Sequence, residues 1–387
     1  MRYVFLIWRS VLLIGIAASL AMAVIGTANA AEPAAKPRDE GQWRQQVNGG
    51  IVNVVTPGLD CACTYVATDM ASVLNDMGAL RVLPLLTQSE LQGFADILYL
   101  KGVDLSIVRS DVLAYVKRNR LHTNLDKRLR YITSLYSSEV HLIAGSDVQS
   151  VADLEGRKVN FDTESQGNAI TAETFFNALG VKPEPVHMEQ ALALDKVESG
   201  EIAASVVVVE KPAKSVVDLT TGRNLRLLPI PFNEKLSKIY LPASLTHEDY
   251  PELIPEGQAV ETIGAAVLLA VYNWDGGSKR YRKIQRFTKT LFDNIEKFNH
   301  PERHANWRDL DIGVAVPGWK RFRPAAKWID DNPKVAKAQN PTEREKVALR
   351  KLFEQFLLEE GHKPQSSLDT RQAMVMSKDF VEWRQQQ

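Results

Sequence analysis

IVNVVTPGLDCACTYVATDMASVLNDM, residues 51–77, reads as strand, turn and helix in a single run. Ile51-Val52-Asn53-Val54-Val55 is short and β-rich and is bounded by Gly50 and Pro57, the pattern of a buried strand. Val66, Met70, Val73, Leu74 and Met77 then recur at i, i+4, i+7, i+8 and i+11, one face of a helix. Thr64 stands where an N-cap hydroxyl belongs.

Outward from this unit the same rhythm continues. Arg81 to Leu86 predicts a second strand and Ser89 to Tyr99 a helix carrying Leu91, Phe94 and Leu98 on one side. Gly102 to Val108 predicts a third strand, ending at Arg109-Ser110-Asp111. Alternation of this kind gives a parallel sheet with helices on its faces. Tyr131–Leu135 and Val140–Ala144 read as further strands. A second block then begins with a short helix at Val151–Leu154, a strand at Lys158–Phe161 and a polar turn at 162–168. Ile170, Phe175, Phe176 and Leu179 mark the helix after it. Strand, helix, strand, helix and strand follow at 185–188, 190–198, 204–209, 212–219 and 225–230. Gly264 to Val271 is again a buried apolar run, and Ser278 to Phe298 an amphipathic helix. The fold class expected is therefore α/β, in two blocks.

Ligands of such folds sit outside the carboxyl ends of the strands, where helix N-termini and main-chain N–H groups converge. Three polar turns fit that description, at 56–64, 109–111 and 162–168. They nominate Thr64, Tyr65, Arg109, Ser110, Ser165, Gln166, Gly167 and Asn168 as ligand-binding residues. Arg109 adds a planar cation able to fork onto a carboxylate. Glu210, at the end of the 204–209 strand, is placed at the rim beside Lys211.

Cys61 and Cys63 are the chain's two cysteines. A bridge between them closes too short a loop to add much stability through chain entropy. No histidine lies within fifty residues of the pair to complete a zinc set. They are read as two small loop residues, with a local disulfide as the alternative.

Composition excludes several classes. The 47 basic and 47 acidic side chains balance, against the basic face that nucleic acid demands. Neither a Gly-x-Ser-x-Gly elbow, nor His-Glu-x-x-His, nor a Gly-x4-Gly-Lys phosphate loop occurs. His300 and His304 are four apart, but Pro301 spoils a helical metal pair. His141, on an apolar strand, reads as a core residue. No catalytic residue, metal or cofactor is expected, and the chain is not read as an enzyme. At the N-terminus, Arg2 and Arg9 flank the apolar run Val11 to Ile25, which ends in Thr27-Ala28-Asn29-Ala30. That is the form of a secretory signal over 1–30, cleaved after Ala30, and it implies a periplasmic protein. Residues 31–49 bear proline and charge without periodicity and read as a flexible tether.

Several segments in order resemble the TAXI family, the extracytoplasmic solute-binding subunits associated with TRAP transporters. They are Thr64-Tyr65, Ala79-Leu80-Arg81-Val82-Leu83-Pro84-Leu85 and Leu98-Tyr99-Leu100-Lys101-Gly102-Val103-Asp104. Ile107-Val108-Arg109-Ser110-Asp111 and Asp153-Leu154-Glu155-Gly156-Arg157-Lys158-Val159 complete the set, which spans roughly residues 48–328. The resemblance implies a bilobed, type II periplasmic-binding fold that closes on a small organic acid or an amino acid such as glutamate. It implies TRAP membrane subunits as partners. Lobe 1 would comprise 50–142 and 244–330 and lobe 2 143–243, with hinge crossovers near 143–147 and 238–246. The family's first turn commonly reads Gly-Gly-Thr-Tyr, which makes Cys61 to Tyr65 the lip of a pocket. Its third turn, Gly-Ser-Gly-Thr-like, has become Ser165-Gln166-Gly167-Asn168. Changed polar residues at both turns imply a changed ligand, or none.

Beyond residue 330 a helical extension over 331–387 is expected, with helices at 342–360 and 369–383. Residues 341–384 would pack on the body or serve partner docking or self-association. The function expected is capture of a small carboxylated solute for a TRAP-type transporter. A solute-sensing or interaction module of the same fold is the alternative.

Overall fold

The computed structural model describes residues 39–58, 61–75, 80–163, 167–300, 302–333 and 335. The signal segment and the two C-terminal helices expected at 342–360 and 369–383 lie outside the described residues. The chain divides into two compact units, residues 1–49 and 50–387. In the first, α1 (Glu40–Gly49) forms inside the stretch read as a tether. Glu, Gln and Arg there are good helix formers without an apolar face, so a search for periodicity passes over them. Arg44 pairs with Glu40 one turn away at 2.7 Å.

The second unit begins with β1 (Ile51–Pro57), α2 (Ala62–Leu74), β2 (Arg81–Thr87), α3 (Glu90–Tyr99) and β3 (Leu105–Arg109). α4 (Asp111–Arg118) and the single turn α5 (Leu125–Arg128) lead into β4 (Leu129–Gly145). A 3-10 turn at Val151–Leu154 precedes β5 (Lys158–Asn160), α6 (Gly167–Leu179), β6 (Glu184–Val186), α7 (Gln190–Glu198) and β7 (Ala204–Val209). Then come α8 (Lys214–Thr220), β8 (Leu225–Leu227), α9 (Glu234–Ser237), β9 (Leu241–Thr246), β10 (Ala259–Tyr272), α10 (Lys279–Asp293) and α11 (Arg323–Asp331).

The ten strands of the described residues join in the order β2-β1-β3-β10-β4-β7-β5-β6, with β8 added to β4 and β9 to β10. Two lobes share this sheet. β2, β1 and β3 are parallel, and β10 enters antiparallel beside β3. β5 runs parallel to β6 and β7, the arrangement of the second lobe. The strands expected at 131–135 and 140–144 are one strand of 17 residues. β4 pairs with β10 up to Glu139 and with β7 from Glu139 onward, so it passes from one lobe to the other without a break. The polar Ser137-Ser138-Glu139 between its apolar halves reads as a loop in sequence. These residues sit at the handover, where β10 contributes Gly264 opposite Glu139. A Cβ at Gly264 would meet Ser137 Oγ at 2.5 Å, so a side chain there would have to displace the Ser137 hydroxyl.

Both faces of each half-sheet are covered, as a parallel sheet requires. In β10, Val267, Leu269 and Val271 face one first-lobe core with Leu105 and Ile107 of β3. Ala266, Leu268 and Ala270 face the other, with Val108, Phe94 and Trp319. This is the two-residue strand period expressed as two cores. In the second lobe, Val140, Leu142, Val206 and Val208 pack on Phe175 and Phe176 of α6. Ile143 and Val207 pack on the far side against Leu194, Val197 and Tyr250.

Candidate functional site

At the carboxyl ends of β1, β3 and β7 a cavity of about 350 Å3 opens between the lobes. The first lobe contributes Pro57, the Cys61-Ala62-Cys63 turn, Glu90 and Arg109. The second contributes Asp162, Thr163, Gly167, Asn168, Glu189 and Glu210. Tyr136 and Ser138 of β4 and Val267 of β10 line it from the strands the lobes share.

Cys61 and Cys63 form a disulfide with their Cα atoms 5.1 Å apart, which corrects the reading of two unpaired small residues. Cys61 caps α2 without a side-chain bond. Thr64 lies inside the helix rather than at its cap. Its Oγ1 instead donates to the Gly58 carbonyl at 2.8 Å and meets Thr56 Oγ1 at 3.0 Å. The bridge and Thr64 thus fix the turn after β1 that forms the lip.

Arg109 ends β3 and its side chain is only 7 % exposed. Nε lies 3.1 Å from Glu90 Oε1, and Glu90, the first residue of α3, is 13 % exposed. Nη1 donates to Asn168 Oδ1 of the second lobe at 3.3 Å. Asn168 Nδ2 in turn donates to Asp162 Oδ2 at 2.7 Å, and Asp162 Oδ1 accepts from the Thr163 N–H. A chain of polar contacts therefore runs from Glu90 through Arg109 and Asn168 to Asp162 and crosses between the lobes. Gly167 makes the approach possible, since a methyl group there would overlap the Arg109 guanidinium and lie 2.9 Å from the Glu90 carboxyl carbon. Burial pushes the Glu90 carboxyl above its usual range, and the attraction of Arg109 opposes that shift.

Of the residues nominated from sequence, Arg109, Gly167, Asn168 and Glu210 come together on the cavity wall. Ser165 and Gln166 lie outside the described residues. Tyr65 is 58 % exposed and stacks on His304 with ring centroids 5.7 Å apart, away from the cavity lining. Ser110 is buried beside the site, and its carbonyl accepts from Trp319 Nε1 at 2.8 Å. Next to it, Asp111 is buried at the α4–α6 contact, where Oδ2 accepts from Thr171 Oγ1 at 2.6 Å and from Tyr240 Oη at 3.1 Å. Arg118 and Glu173 pair along the same contact.

Glu90, Tyr136, Ser138, Asp162 and Glu189 also line the cavity and were not nominated. Glu90 follows the N-cap Ser89 and reads in sequence as an ordinary acidic first-turn residue. Ser138 belongs to the polar interruption of β4 and Tyr136 borders it, which was the available signal. Glu189, one residue before α7, carried none.

His141 sits in the core, as its apolar strand suggests. Nε2 is 2.6 Å from Tyr250 Oη and Nδ1 3.0 Å from the Glu139 carbonyl. Burial pulls its pKa down to about 4, so the ring is neutral. Among the described residues no group of three or more His, Cys, Asp or Glu is arranged to hold a metal ion. Nor is any helix there long and apolar enough to cross a membrane.

The chain is similar to several solved structures at low identity. The periplasmic VFT2 domain of Bordetella pertussis BvgS matches at 11 % identity and a TM-score of 0.37, over 65 % of this chain and 92 % of that one. XAC2383 from Xanthomonas citri, bound to ATP, matches at 11 % and 0.41 over 75 % and 98 %. The L-cystine solute receptor of Neisseria gonorrhoeae, unliganded and open, matches at 14 % and 0.35 over 65 % and 91 %. A family model matches residues 95–316, from α3 through β10 to the loop that covers Tyr131, and so takes in most of the cavity wall. On that match the chain belongs to the NMT1-like family.

Proposed function

We propose that this protein is an exported solute-binding protein that takes one small solute between its lobes and hands it to a membrane transporter. The observation that carries the reading is the cavity, whose wall is drawn from both lobes and from the strands joining them. Its volume suits a small molecule, at the low end of ligand pockets. A solute touching both lobes favours the closed arrangement by its extra affinity for that arrangement, which couples binding to a shape a transporter can read. The signal-like N-terminus supports delivery to the periplasm, and the resemblance to TAXI subunits supports a TRAP-type partner. That resemblance also implies a carboxylated solute, which here would meet Arg109 in competition with Glu90.

The test is a thermal-shift screen of the full chain against small organic acids, amino acids, amines and neutral polar solutes. A true ligand at a hundredfold its Kd adds about 2.7 kcal/mol of stability and raises Tm accordingly. No stabilisation by any class overturns solute binding. A ligand found without a membrane transporter that pulls down the liganded protein overturns delivery alone.

A further inference from the structure

We propose that the solute of this cavity is a small organic cation, bound through ammonium or amidinium N–H groups, and not a carboxylate. The proposal rests on the solute-binding reading above and names the class of solute. Four carboxylates line the cavity, Glu90, Asp162, Glu189 and Glu210, against one guanidinium among the described lining residues. The charge on Arg109 is already matched. Its Nε faces Glu90 at 3.1 Å, its Nη1 faces Asn168, and the rest of the guanidinium packs on Gly167. Three carboxylates are then left without a cation at the wall. Lys211, next to Glu210, offers no compensation, because its Nζ lies 3.1 Å from Asp249 and also donates to the Ser244 carbonyl. Glu210 itself is half-buried, and its carboxylate lines the cavity without an ion pair among the described residues.

A second, independent feature points the same way. Tyr136 is 5 % exposed and Ser138 6 % exposed, yet both line the cavity. Neither hydroxyl is among the fully enclosed atoms that lack a partner, and neither makes a hydrogen bond among the described residues, so both are open to a ligand in the cavity. Residues i and i+2 of a strand face the same side, so the two hydroxyls present themselves together. The Tyr136 phenol lies within electrostatic reach of Glu210, Glu90 and Arg109. Burial keeps its proton on, and a neutral phenol accepts from an N–H donor through its oxygen while its ring face attracts a cation. Ile107, Val208, Val209 and Val267 supply an apolar wall for a short carbon chain. A ligand carboxylate would meet uncompensated like charge here, whereas an ammonium group would meet Glu210 and two acceptor oxygens.

The experiment is calorimetric titration of the full-length protein with four size-matched probes: 1,4-diaminobutane, 4-aminobutanoate, succinamide and succinate. The diamine is expected to bind at least tenfold more tightly than succinamide or succinate, and to weaken as salt is raised. Glu210→Gln should weaken the diamine at least tenfold. Tyr136→Phe, which keeps the ring and removes the hydroxyl, should weaken it several-fold with an unchanged melting curve, and serves alone if Glu210→Gln does not fold. Succinate or succinamide binding as tightly as the diamine overturns the charge assignment and leaves solute binding standing. Failure of all four probes to bind also overturns the assignment, and the broader screen then decides solute binding separately. Unaltered diamine affinity in both variants removes this wall from the binding site.

Discussion

Arg109 Nε and Glu90 Oε1 lie 3.1 Å apart, both side chains nearly shut off from solvent, at the point where the two lobes meet. Neither charge was transferred from water without its partner, so each now depends on the other. Removing one leaves a buried charge alone, and that costs about 3–5 kcal/mol. Arg109→Ala is therefore expected to lower stability on that scale in urea unfolding. The double replacement Arg109→Leu with Glu90→Leu should recover most of the loss, because apolar residues of similar volume need no counter-charge. Equal stability of Arg109→Ala and the parent would show that the pair contributes nothing to the folded state.

Gly167→Ala probes the same contact from the other lobe. Its methyl group would occupy the space of the Arg109 guanidinium. The expected result is a lower Tm by several degrees and weaker binding of whichever solute emerges from the screen. Alanine is a better helix residue than glycine at the first position of α6, so a gain in stability would mean that the pair yields at no cost.

The disulfide at the lip closes a very short loop. By the chain-entropy relation such a loop is worth only about 1.5 kcal/mol. Replacing Cys61 and Cys63 together with Ser should lower stability by no more than about that amount. A loss of about 4 kcal/mol or more would show that the bridge carries the turn after β1 and not merely its ends.

His141 makes stability depend on pH with a definite sign. Its ordinary value is 6.5 and burial lowers it to about 4 in the folded chain. Between those values the unfolded chain binds the proton and the folded chain does not. Stability is thus fully present above pH 6.5 and falls as pH drops toward 4, by about 3 kcal/mol in total. Glu90 and Glu139, both raised by burial, act in the opposite sense and contribute less as pH rises through their folded values. Unfolding measured from pH 4 to 7 in the parent and in His141→Gln separates them. The variant should lose the acid-side fall that belongs to the histidine, and an identical pH profile would rule this ring out as its source.

The strand–turn–helix units of both lobes were legible because each carries its own period. Val66, Met70 and Leu74 bury one face of α2, as their spacing indicates. Arg109, Gly167, Asn168 and Glu210 were legible because the ends of strands and starts of helices are where such folds gather polar groups. Glu90 was not. Its role comes from a neighbour nineteen residues on and a glycine in the other lobe, and no local pattern marks it. The continuous β4 was hidden for a related reason. Ser137, Ser138 and Glu139 lie at the junction between lobes, and in sequence polar residues between apolar runs imitate a loop.

The placement of β10 bears on how the chain acquires its structure. Residues 267–271 slot beside β3 at 105–109, and residues 264–272 beside β4 at 129–139. During synthesis from the N-terminus, β3 and β4 therefore wait with facing edges unfilled while the whole second lobe is made. Pairings so distant in sequence are slow to form, and unfilled strand edges are sites of wrong association. A nascent chain halted before residue 264 would hold an incomplete first lobe. The risk of aggregation is concentrated in that interval, and it ends when the last central strand arrives.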